Sequence, residues 1–204
     1  MRPLLLGFTL VLMPALTGTS FANVPSAITS TWPSCIQVVP GGNISTVIVV
    51  RDISNNPVPG SNVVLSYSDC PSLVVCPGPG DAYVHDPVNR TLAMTADATG
   101  KVVFNLRAGD GCATADLRIF ADLVPLGSAR VVSPDQNGDL VVNGTDSALE
   151  QGKVGTSDLS GDLDCDGDAD SADVDFMHPY LGSTCTNPTP VRPQSWGGLK
   201  LHYR

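Results

Sequence analysis

The sequence predicts a mainly β chain in which an antiparallel β-sandwich is followed by a small α-helical module. Three observations carry this. Between Ile36 and Val132 the apolar residues recur with a period of two. Turn-forming stretches such as NNPVPG, CPGPGD and DATG bound those runs. Beyond Val132 the composition changes: twelve of the twenty acidic residues fall between Asp135 and Asp175, with Lys153 the only Lys or Arg among them.

The chain has 204 residues and a formal net charge of -9. That length fits one or two small domains, and so few scattered cations leave no basic stripe for nucleic acid. The first segment, MRPLLLGFTLVLMPALTGTSFA, places Arg2 before an apolar run and ends on Ser20, Phe21 and Ala22. It reads as a secretory signal, residues 1–22, cleaved after Ala22. Its apolar run from Leu4 to Leu16 contains Gly7 and Pro14 and is too short for a bilayer core of roughly 30 Å. The mature chain is therefore expected to be secreted, extracellular or at the cell surface, with no transmembrane segment.

Export bears on the cysteines. All six (Cys35, Cys70, Cys76, Cys112, Cys165, Cys185) follow the cleavage site, and an even number in an oxidising compartment points to disulfides. Zinc needs short paired spacings such as CxxC, which the chain lacks.

Residues 23–132 form the expected sandwich. In KVVFNLR, Val102, Phe104 and Leu106 share a face; in NVVLSYS, Val63, Leu65 and Tyr67; in ADLRIFAD, Leu117, Ile119 and Ala121. Seven or eight short strands without a helical period between them suit two packed sheets. The stretches VRDISNNPVPGSNVVLS, TADATGKVVFNL and ADLVPLGSARV resemble a bacterial Ig-like domain of the invasin type over roughly residues 36 to 132. That resemblance implies a spacer, stalk or adhesive module. Cys70 and Cys76 flank a short loop they could close, leaving Cys35 with Cys112, one choice among the allowed connectivities.

The acidic region, residues 133–185, has a register. In DQNGDLVVNGTD the oxygen-bearing side chains are Asp135, Asn137, Asp139, Asn143 and Asp146, at loop positions 1, 3, 5, 9 and 12. In DLDCDGDADSAD, Asp162, Asp164, Asp166, Asp170 and Asp173 occupy the same five positions. These are EF-hand calcium-ligand positions, with position 7 (Val141, Asp168) supplying a backbone carbonyl. Two carboxylates about 4 Å apart repel by about 1 kcal/mol in water and about 4 kcal/mol at an effective dielectric of 20. Bound calcium turns that repulsion into coordination and couples it to folding. Position 6 needs a sharp turn and is Gly167 in the second loop but Leu140 in the first. Left-handed backbone costs a non-glycine residue about 1–2 kcal/mol, and the first loop also carries two neutral amides, so it is expected to bind more weakly.

Two such loops 27 residues apart, each ending on Asp and followed by one helix, resemble a type I dockerin. The resemblance implies calcium at the ten side chains, helices over TDSALEQ and SADVDFMHPYL, and docking to a cohesin-like or other extracellular protein. GDLDCDG also resembles the GDLNCDG form of many secreted bacterial proteins, in which a later cysteine closes the module; this implies Cys165 paired with Cys185. At positions 10 and 11 the chain has Gly144-Thr145 and Ser171-Ala172, where cohesin-binding dockerins often carry Ser-Thr.

Residues 186–204 are a Pro-rich tail in which Trp196, Leu199, Leu201 and Tyr203 could cap the neighbouring domain. Catalysis is not expected. The three histidines are dispersed, no GxSxG nucleophile motif is present, and the dense carboxylates already have a metal-binding role. The sequence thus points to a non-catalytic calcium-binding protein for extracellular binding or assembly, or else to a component of a cohesin–dockerin polysaccharide-degrading assembly or a structural stalk.

Overall fold

The computed structural model describes residues 23–186 apart from 43 and 79. The signal segment, its cleavage point and the tail residues Trp196, Leu199, Leu201 and Tyr203 lie outside that range.

The described residues contain ten strands: β1 Cys35–Gln37, β2 Ile44–Val49, β3 Asn62–Ser66, β4 Val74–Val75, β5 Val84–Asp86, β6 Thr91–Thr95, β7 Lys101–Leu106, β8 Ala108–Gly109, β9 Cys112–Ala121 and β10 Val124–Val132. Two helices follow, α1 Gly144–Gln151 and α2 Ser171–Met177, the second running into a 3₁₀ turn at His178–Tyr180. The fold is mainly β. Six strands form one sheet in the order β1-β10-β9-β3-β6-β5, and β2-β7 and β4-β8 form two short pairs. The alternation in the sequence decides which side chains turn inward. Val63, Leu65, Leu117, Ile119 and Ala121 from the large sheet meet Ile48, Val102, Phe104 and Leu106 from β2 and β7 in one buried core.

One pairing departs from the antiparallel expectation: β1 lies parallel to β10, with Cys35 opposite Arg130 and Gln37 opposite Val132. Both strands run toward the acidic C-terminal unit, and Val38 N–H continues the pairing to Val132 O at 2.9 Å. At the far end, β9 and β10 are joined by Asp122 and Leu123, both left-handed at φ 48° and 69°. A two-residue hairpin with positive φ at both positions matches the right-handed twist of its strands. Asp122 supports the turn by accepting the Asn62 N–H at 2.8 Å.

The parallel edge leads into a second core. Cys35, Val39 and Val132 from the β region are buried with Val142, Leu163 and Met177 from the acidic unit. Gln37 Nε2 donates to Leu163 O across this junction at 2.7 Å.

The disulfides fix the same docking, and they correct the expected pairing. Cys35 is bonded to Cys165, Cys70 to Cys112 and Cys76 to Cys185, with Cα separations of 5.8, 5.3 and 5.6 Å. Cys165 does not meet Cys185 because Cys185 lies along the other loop, donating its N–H to Leu140 O at 3.0 Å. Cys70 does not meet Cys76 because Cys76 N–H bonds Arg107 O at 2.8 Å, beside the start of β8. Two of the three bridges therefore cross between the β region and the acidic unit and staple the two together. A link between residues 130 apart removes on the order of 5 kcal/mol of chain entropy from the unfolded ensemble in the loop-closure account.

Non-reducing peptide mapping is expected to recover Cys35–Cys165, Cys76–Cys185 and Cys70–Cys112. Replacing both Cys35 and Cys165 by Ser should destabilise the whole chain by about 2–5 kcal/mol, read as one cooperative melt at lower temperature. A Cys165–Cys185 peptide in the wild type would refute the crossed arrangement.

Candidate metal centre

The acidic unit is built twice. Asn143 and Asp170, at position 9, cap α1 and α2, accepting from Thr145 N–H at 2.7 Å and Ala172 N–H at 2.6 Å. Asp146 and Asp173, at position 12, return the contact to the cap backbone at 2.8 and 2.7 Å and complete capping boxes. Asp146 Oδ1 also accepts from Gln136 and Asn137 N–H, as Asp173 Oδ1 does from Leu163 and Asp164 N–H. The halves then interlock. Gly155, after α1, donates to Ala169 O in the second loop at 2.7 Å, and Gly182, 27 residues later, donates to Val142 O in the first at 2.8 Å.

Backbone geometry repeats as well, with one exchange. Positions 4 and 6 are left-handed in both loops: Gly138 at φ 72° and Leu140 at 69° in the first, Cys165 at 70° and Gly167 at 113° in the second. Each loop has glycine at one of these positions and a non-glycine residue at the other. The strain anticipated at Leu140 is present, but Cys165 carries its counterpart, so backbone strain does not distinguish the loops.

The position-1 carboxylates are the structural centre. Asp135 and Asp162 are 1% and 0% exposed. Asp135 Oδ2 accepts from Leu140 N–H at 3.0 Å and Asp110 N–H at 3.2 Å. Asp162 Oδ2 accepts from Gly167 N–H at 3.0 Å and pairs with the Arg130 guanidinium. The other oxygen of each, Oδ1, is buried with no hydrogen-bond partner. An unpaired buried carboxylate oxygen is costly, and a cation would satisfy it.

Around these oxygens the expected ligands gather in part. Carboxylate oxygens of Asp135, Asp139 and Asp146 lie within 4.8 Å of one another, as do those of Asp162, Asp164 and Asp166, and those of Asp168, Asp170 and Asp173. These clusters could hold a metal ion. Asn137 and Asp139 bond each other, and Val141 O accepts the Asn143 amide at 3.3 Å. Burial raises the Asp135 pKa, assisted by Asp146 and Asp139. Burial also raises Asp164, with Asp173, Asp166 and Asp162 adding to it, whereas at exposed Asp168 the nearby Asp166 charge is the leading cause.

Three contributors escaped the sequence reading. Arg130 and Asp110 belong to the β region and have no sequence tie to the loops. Glu150 did carry a signal: the 27-residue offset sets it opposite Met177, a core residue with no exposed surface. Glu150 is as deeply buried, and neither carboxylate oxygen has a hydrogen-bond partner. Burial pushes its pKa up to about 7, with Asp173 and Asp158 adding to it and Lys153 opposing. Lys153 itself donates to Ser160 Oγ at 2.6 Å and to Gln136 Oε1. A cleft of about 170 Å³ between Asp110, Ser133, Gln136, Lys153 and Ser160 opens beside Asp135.

The chain matches no family model, no curated protein and no solved structure.

Glu150 sets a pH dependence. Its folded pKa of about 7 exceeds the ordinary 4.5, so the folded state holds the proton more tightly. The resulting stability is full below about 4.5, shrinks as pH rises, and is lost above about 7. Glu150→Met, which copies the other half of the repeat, should raise the melting temperature at pH 8 by on the order of 5 °C. The gain should fade toward pH 4.5 in a melt series; an equal gain at both pH values would exclude ionisation as its cause.

Gly109 tests the contact between sheet and loop. A Cβ there would lie 2.4 Å from Asp135 Oδ2 and 2.5 Å from Leu140 Cδ2. Gly109→Ala should therefore cost about 1–3 kcal/mol in denaturant unfolding. Hydrogen exchange should quicken around residues 135–146 more than around 162–173.

Proposed function

We propose that the protein is a secreted, non-catalytic calcium-binding protein whose C-terminal unit is a dockerin-like pair of EF-hand-type loops serving extracellular binding or assembly. The carrying observation is the pair of buried position-1 carboxylates, each with one oxygen held by donors and the other bare. Oxygen-only donors in a flexible loop with a carbonyl at position 7 suit calcium better than magnesium, which keeps several waters in a strict octahedron. The ligands in this reading are Asp135, Asn137, Asp139, Val141 O, Asn143 and Asp146 in one loop, and Asp162, Asp164, Asp166, Asp168 O, Asp170 and Asp173 in the other.

Calcium here is structural. It satisfies the bare oxygens, offsets the crowded negative charge and fixes the start of each helix through positions 9 and 12. The β region, read as an Ig-like sandwich, supplies the rigid body to which the loops are bound. Three disulfides are compatible with an oxidising compartment, and no helix among the described residues is long and apolar enough to cross a membrane. A docked partner, cohesin-like or other, is what the dockerin resemblance of the acidic unit implies, and Leu149 and Leu159, 44% and 42% exposed there, are side chains such a partner would cover.

Calorimetric titration of the ion-free chain with calcium should show two binding events. Asp135→Ala should remove one and Asp162→Ala the other, while magnesium at equal concentration competes poorly. Capture from secreted proteins of the same source should succeed with calcium and fail with chelator. A chain that takes up no calcium would overturn the reading.

A further inference from the structure

The two position-1 aspartates are gripped from outside their loops, and the grips differ in charge. On the first loop the outside donor is the neutral backbone N–H of Asp110, in the turn after β8. The Asp110 carboxylate also sits close by: a Cβ on Gly138 would lie 2.9 Å from its Oδ2. On the second loop the outside group is the Arg130 guanidinium from β10, its side chain 16% exposed against a fully buried Asp162. Disulfides hold both contacts in register. Cys35 stands opposite Arg130 across the parallel β1-β10 pair and is bonded to Cys165, three residues after Asp162. Cys76 adjoins β4, which pairs with β8, and is bonded to Cys185, whose N–H meets Leu140.

We propose that the β region is the outer shell of both cation sites, and that Arg130 is the residue that sets the affinity of the second loop. This rests on the calcium reading above and adds to it a control that the loop residues alone do not contain. The first loop has three carboxylates of its own, Asp135, Asp139 and Asp146; the second has six. The β region adds an acidic group beside the first loop and a cation beside the second, which draws the two sites toward equal net charge. Arg130 has opposite effects in the two states. Without an ion, it neutralises Asp162 and keeps a six-aspartate loop folded. An ion held at the bare Oδ1 of Asp162 would meet the Arg130 charge on the other oxygen of the same carboxylate and be repelled by it. Both effects lower the gain from binding, so Arg130 holds the second loop below the affinity its own charge would confer. Outer-shell partners of metal-bound carboxylates orient the ligand and tune the ion; here the partner carries a full positive charge.

The test uses the full disulfide-bonded chain and calcium alone as probe. The second-loop event is the one removed by Asp162→Ala. In Arg130→Gln that event should tighten by about tenfold, the size expected for removing one charge near a divalent ion in a water-like dielectric. The first-loop event should stay within about twofold. Arg130→Lys, which keeps the charge, should bind like wild type. Arg130→Met retains the apolar stem and replaces the Gln variant should that one misfold. In chelator, hydrogen exchange of residues 162–173 should quicken in Arg130→Gln but not in Arg130→Lys. A second-loop event that is unchanged or weaker in the neutral variants would overturn the assignment and leave the calcium reading standing. A wild type that binds no calcium would remove both.

Discussion

Burial of Asp135 and Asp162 is the constraint on which the rest of the C-terminal unit depends. A carboxylate with no exposed surface must be answered atom by atom, and only one oxygen of each is answered by the protein. The position-6 N–H groups can reach Oδ2 because the chain turns left-handed at Leu140 and Gly167. That turn orders the remaining ligands along each loop and ends at a capping box. Helix, turn and cluster are thus consequences of holding one buried acid from one side. The same burial requires a wall, and the wall is the β region, contributing Asp110 and Arg130 as donors and Cys35, Val39 and Val132 as packing.

Much of this was legible in the residues. Alternation placed Val102, Phe104 and Leu106 on one face because a strand's side-chain period is two, and all three are buried. The oxygen register of the loops followed from fixed spacings, since turn geometry acts over a few residues, and the two helices were what the dockerin resemblance implied. Gly152 is the C-cap at which α1 ends.

The illegible part was long-range. Disulfide partners depend on which ends of strands meet, and the parallel placement of β1 beside β10 has no local signature. Asp122-Leu123 forms a hairpin tip that composition alone disguises, since neither residue is glycine. Cys165 stands at position 4, and its left-handed backbone shows only in the folded loop. Glu150 sits in a core position because the duplicated unit has one, and a reading that counts acids as solvated passes over it. Arg130 lies 32 residues before Asp162 in a strand whose alternation concerns packing, so its charge carried no meaning there.

The crossed bridges also bear on the order in which the chain matures. In a chain exported N-terminus first, Cys35 would meet an oxidant early, with Cys70, Cys76 and Cys112 following it well before Cys165, its partner 130 residues later. Every thiol Cys35 meets before Cys165 is a wrong partner, and a bond it forms with one of them must be undone by thiol–disulfide exchange, whereas Cys70–Cys112 can close early. Contacts of such high sequence separation are slow to form. Until the last cysteines arrive, the β wall stands without the disulfides that tie the acidic unit to it. Folding of this protein is thus weighted toward completion of the chain, because two of its three bridges wait on the last two cysteines.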